Sequence, residues 1–119
     1  MIDAARATAP ADRRRTLEMA VLIAILVLAA LSRLPGLDAR GQWDADQGHD
    51  MLVLRDWVVH GETPLLGPKT SLGTFHHGAV YYWLLAPAAF LSGADPVAVT
   101  FELALIGIGA VAATWWLAA

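Results

Sequence analysis

From Leu17 to Leu34 the chain reads "LEMAVLIAILVLAALSRL", and no other stretch restricts the fold as much. As a helix this run measures about 27 Å at 1.5 Å per residue, close to the ~30 Å hydrocarbon thickness of a bilayer. Its two charges, Glu18 and Arg33, stand at its ends, and Pro35 with Gly36 stops it. The run predicts a membrane-spanning helix. A secretory signal peptide is the rival reading, since Arg13, Arg14 and Arg15 precede the apolar stretch. The stretch is long for that purpose, however, and no small-residue cleavage pattern follows it.

Two further apolar runs come later. "FHHGAVYYWLLAPAAFLSGA" holds no Asp, Glu, Lys or Arg, and Tyr81, Tyr82 and Trp83 cluster near its start, as aromatic belts do at a membrane boundary. Pro87 in its middle predicts a kink. "SGADPV" predicts a tight turn in which Asp95 caps the next helix and Pro96 takes its first position. The third run, Pro96 to Ala119, carries one charge, Glu102, and closes on Trp115 and Trp116. The hydrophobic share of 57% agrees with this reading, standing above the roughly 45–50% of soluble domains. The chain therefore reads as an all-α, polytopic membrane protein. A basic tail covers 1–16, spans cover 17–34, 75–94 and 96–119, and an outer loop covers 35–74. Three spans leave the last residue outside with no polar tail, so stopping at "WWLAA" reads as a cut in a longer chain.

Charge sets the orientation. The tail has Arg6, Arg13, Arg14 and Arg15 against Asp3 and Asp12, whereas Asp38, Asp44, Asp46, Asp50, Asp56 and Glu62 dominate the loop. The positive-inside rule puts the tail in the cytoplasm and the loop on the extracytoplasmic side of the cell (inner) membrane. A net charge of −3 leaves no basic footprint for nucleic acid. With 0 cysteines, disulfides and thiolate zinc sites are excluded.

Within the loop, "DADQGHDMLVLRDWVVHGE" predicts a juxtamembrane helix over about 45–60, capped by Asp44 and closed by Gly61. Asp46, His49 and Asp50 fall at i, i+3 and i+4 and share one side. Met51, Leu54 and Val58 form another side, suited to a helix that lies along the membrane surface and is partly covered by other protein. "TPLLGPKTSLG", rich in Pro and Gly, predicts irregular chain. Asp46, His49 and Asp50 are a candidate metal set, with His76 or His77 to complete it, and their oxygens suit Mg or Mn as cofactor. Trp43, Trp57, Tyr81 and Tyr82 are either stacking surfaces or interfacial anchors. Glu102 is an ionisable group inside a span, with no role assigned.

The order of these features resembles the N-terminal portion of a GT-C membrane glycosyltransferase, in the protein O-mannosyltransferase and aminoarabinose-transferase-like superfamily. The likeness covers most of the chain from Leu17 onward. It rests on a first span, an acid opening a juxtamembrane helix, a Gly/Pro loop, and "HHGAVYYWLLAP" entering the next span. Many bacterial members have a His-Pro-Pro-Leu-Tyr-Tyr type sequence there. Here it is His77, Gly78, Ala79, Val80, Tyr81, Tyr82, with both prolines absent, and the family's Asp-Glu pair is Asp46-Gln47. The resemblance implies transfer of a sugar from a polyprenyl-phosphate carrier to an acceptor at the outer face, with membrane lipid and the remainder of a polytopic chain as partners. Asp46 is then the candidate catalytic base, with Asp44 as fallback, because a hydroxyl acceptor needs a group to take its proton. His77, Lys69, Tyr81 and Tyr82 are the candidate substrate contacts. The competing functions are a small non-catalytic membrane protein whose acidic loop binds a partner or ion, and an exported protein with a cleaved first helix.

Overall fold

The computed structural model describes residues 9–40 and 44–118. It is mostly helical, in the order α1 (Ala9–Arg33), α2 (Leu37–Arg40), α3 (Ala45–His60), β1 (Leu66–Lys69), β2 (His76–Gly78), α4 (Val80–Ser92) and α5 (Pro96–Ala118). Trp43, a candidate stacking residue, and the tail residues Asp3 and Arg6 lie outside the described residues. The chain divides into two compact units: α1 with the part of α5 from Ile106 onward, and Gly36–Leu105.

In the first unit, helix begins well before the expected start at 17 and takes in Arg13, Arg14 and Arg15. Two helical stretches are long and apolar enough to cross a membrane: Asp12–Arg33, with 22 residues, and Pro96–Ala118, with 23, both of mean hydropathy 2.0. Only 6% and 11% of their apolar windows are buried, unlike a core helix of a soluble protein. The start of α1 at Arg15 and Glu18 lies beside the end of α5 at Trp115 and Trp116. Arg33, at the other end of α1, has its Nε 3.3 Å from where a Cβ on Gly107 would stand. These two helices therefore run antiparallel, whereas three successive spans would make the first and third parallel.

The second apolar run departs from the span expected over 75–94. It is helical only over Val80–Ser92, 13 residues, which is about 20 Å at 1.5 Å per residue and well short of ~30 Å. Its start is cut back because His76–Gly78 pair antiparallel with Leu66–Lys69. Part of the segment expected to be irregular, Leu66–Lys69, is thus the first strand of a two-stranded hairpin, and the chain is mostly rather than wholly helical. Gly67 permits this close pairing, since a Cβ there would meet the backbone oxygens of His77 and Gly78. The run ends at Gly93, whose φ of 71° is the left-handed cap conformation.

The core of the Gly36–Leu105 unit is small: Leu54, Tyr82, Leu85, Ala89 and Val99. Leu54 has 0% exposure and Met51 and Val58 are partly buried, so protein partly covers this face of α3, as expected. Asp50 meets Tyr82 and Trp57 meets Phe90, so α3 and α4 run side by side in the same direction. Trp57 and Phe90 make an edge-to-face pair with centroids 5.4 Å apart. Trp83 Nε1 donates to Pro64 O at 3.0 Å and ties the hairpin's approach to α4. Asp95 caps α5, its Oδ2 accepting from Ala98 N at 2.8 Å. Pro87 brings no N–H to α4, and its ring crowds the carbonyl one turn back. Glu102 supplies an acceptor beside that break, its Oε2 taking the Ala88 N–H at 3.2 Å.

Candidate functional site

The site is built on the first two turns of α3. Asp44 has extended backbone, and its Oδ1 accepts from Asp46 N at 3.0 Å and Gln47 N at 3.4 Å. Gln47 Oε1 returns the favour by accepting from Asp44 N at 3.2 Å, completing a capping box. Asp44, the fallback base, therefore has one carboxylate oxygen committed to the helix end. Gln47, standing where the resembled family has Glu, holds that same end. Asp46 is exposed in the first turn, and among the described residues no hydrogen bond or ion pair engages its carboxylate.

One turn further on, Asp50 is half-buried and its Oδ1 accepts from the Tyr82 hydroxyl at 2.7 Å. Tyr82 is only 1% exposed, and the rings of Tyr81 and Tyr82 lie 5.3 Å apart. Burial pushes the Tyr82 hydroxyl well above the usual phenol range, and its hydrogen bond to Asp50 adds to the rise. Burial, followed by the negative charge of Asp50, pushes Tyr81 up from 10.0 to about 12. Both phenols therefore stay protonated at neutral pH. Tyr82 is a fixed donor to a carboxylate.

Gln47, Asp50 and Tyr81 share a cavity of about 60 Å³ with Met51, Thr100 and Leu103. Asp46 and His49, by contrast, stand on the exposed part of α3.

The structure brings together Asp50, Tyr81 and Tyr82 from the sequence-derived candidates. Lys69 and His77 lie on β1 and β2, both exposed, and Lys69 stands across the hairpin from His76. His76 Nδ1 lies 3.1 Å from Thr74 O. No group of three His, Asp or Glu side chains is arranged to hold a metal ion among the described residues. Sequence reasoning missed the pairing of Asp50 with Tyr82. The signal available was the position of Asp50 one turn before Leu54, on the same seam as the apolar face.

Scans against protein-family models, curated proteins and solved structures find nothing that matches this chain.

Proposed function

We propose that this chain is part of an integral-membrane glycosyltransferase that moves a sugar from a polyprenyl-phosphate donor to an acceptor on the outer face. In this reading α1 and α5 cross the bilayer as an antiparallel pair, two spans in place of three. Arg13, Arg14 and Arg15 stay on the cytoplasmic side. The acidic segment that begins after Gly36 lies outside. A donor with a prenyl tail stays in the bilayer, so a carboxylate just beyond the surface has access to it.

One observation carries the proposal. The Asp50–Tyr82 hydrogen bond clasps together the two segments on which the family resemblance rests, the acid-bearing helix start and the Tyr-Tyr pair. It leaves Asp46 one helical turn away, capped from behind and open in front. In the reaction the acceptor O–H proton passes to the Asp46 carboxylate as that oxygen forms a bond to the anomeric carbon. The bond from that carbon to the phosphate oxygen breaks, and the lipid phosphate leaves with the electron pair. Asp50 touches no reacting atom and acts as a positioning residue.

This portion alone is expected to be inactive, so the experiment measures transfer of labelled sugar from a polyprenyl-phosphate donor in membranes carrying the chain together with the remainder of the polytopic protein. Removing a general base lowers the rate by about 10²–10⁴, so Asp46→Asn should lose nearly all transfer while still inserting. A near-normal rate in that variant removes Asp46 from the mechanism. Because the chain has 0 cysteines, Ser71→Cys offers a single thiol on the hairpin, and a membrane-impermeant reagent should label it from outside intact cells. Labelling only after permeabilisation overturns the outward placement.

A further inference from the structure

The start of α1 and the end of α5 enclose a cleft of about 440 Å³, lined by Arg15, Glu18, Met19, Leu22, Ala112, Trp115 and Trp116. The lining joins three kinds of group: the apolar side chains of Met19, Leu22 and Ala112, the amphipathic rings of Trp115 and Trp116, and the charges of Arg15 and Glu18. The one acid in the lining is already engaged, since Arg14 Nε binds Glu18 Oε1 at 2.9 Å. Arg15 has no acidic partner among the described residues.

We infer that this cleft binds one anionic phospholipid. Its phosphate would sit on Arg15, its glycerol region between the tryptophans, and an acyl chain along Met19, Leu22 and Ala112. Charge complementarity picks the occupant. The open guanidinium supplies the fork of donors that matches phosphate oxygens. Tryptophan pairs settle at headgroup level, and Met19, Leu22 and Ala112 are apolar, as contact with an acyl chain requires. Basic pockets between spanning helices on the cytoplasmic side take anionic headgroups, and the cytoplasmic leaflet supplies them. The inference rests on the membrane placement of α1 and α5 and does not depend on sugar transfer, which the test does not measure.

The test is native mass spectrometry of the whole chain released from detergent containing equal amounts of phosphatidylglycerol and phosphatidylcholine. An arginine at an anionic surface contributes about 1 kcal/mol, so one phosphatidylglycerol should be retained about fivefold more than phosphatidylcholine. Arg15→Gln should erase that preference, and Ala112→Phe, which fills the cleft and keeps the charge, should reduce retention of both lipids. Arg13→Gln, with the same loss of charge outside the lining, should leave retention unchanged. Equal retention of the two lipids overturns the inference. So does an equal effect of Arg13→Gln and Arg15→Gln, or retention that Ala112→Phe does not alter.

Discussion

In the α1–α5 pair, Leu28 and Leu31 are 68% and 64% exposed, whereas in the Gly36–Leu105 unit Leu54 has 0% exposure. The same side chain thus faces opposite environments in the two units. The first unit presents apolar surface around most of its circumference and has Ala29 as its only buried residue among those described. The second has a closed cluster, two capped helices and a tyrosine–carboxylate clasp. A helix of the first kind keeps its apolar surface only where lipid or further protein replaces water. A unit of the second kind is specified by individual contacts. One set of positions should tolerate apolar exchange, and the other should not.

The largest expected effect tests that contrast directly. Leu54→Ala should destabilise the Gly36–Leu105 unit by about 2–5 kcal/mol, through lost burial and the cavity left among Tyr82, Leu85 and Val99. Leu28→Ala, at an exposed position, should change stability by no more than about 0.5 kcal/mol. Hydrogen exchange in detergent micelles reads the two units separately. Equal costs at the two positions would show that the burial contrast is not what distinguishes them.

The next effect sharpens the clasp. The chain's 2 tyrosines are Tyr81 and Tyr82, so phenolate absorbance reports this pair and nothing else. Their raised pKa values mean that the neutral hydroxyls are favoured in the folded state. The stability this contributes is complete below the ordinary value of 10.0 and disappears as pH rises through about 12, where Tyr81 ionises. Both phenols should titrate above 10.0 in the native chain. In Asp50→Asn both should move down but stay raised, because burial is the larger cause. Titration that Asp50→Asn does not move would dissolve the clasp. Tyr82→Phe leaves the half-buried carboxylate without this donor and should cost about 1.5–3 kcal/mol at neutral pH.

What could be read from the sequence divides along the same line of local against distant contacts. The cap at Asp44, the stop at Gly61 and the Asp95-Pro96 start of α5 are legible because each works within a few residues of itself. The long apolar helices are legible because length and composition alone mark them out. The clasp joins Asp50 to a tyrosine 32 positions later, and Glu102 meets an amide 14 positions before it. No local spacing announces either contact. The hairpin was hidden for a related reason. Pro68 and Gly67 read as breakers, yet an edge strand tolerates Pro, and Gly67 is what lets β2 approach. Asp46 drew attention by motif, while the structure gives the built contact to Asp50.

The smallest expected effect concerns the cap itself and separates its two roles. Asp44→Ala removes the acceptor for Asp46 N and Gln47 N and should cost about 1 kcal/mol, the usual loss for an N-cap. Fraying should be confined to the first turn of α3, because Asp50 and Leu54 hold the helix further along. Asp46 sits in that turn, so under the proposed mechanism sugar transfer should fall with the fraying, while tyrosine titration stays where it was. Asp44→Ser restores a capping oxygen without a carboxylate. If Asp44 only caps, the serine variant recovers both stability and transfer. If Asp44 itself takes the acceptor's proton, the serine variant recovers stability and leaves transfer lost, and the role of base moves from Asp46 to Asp44.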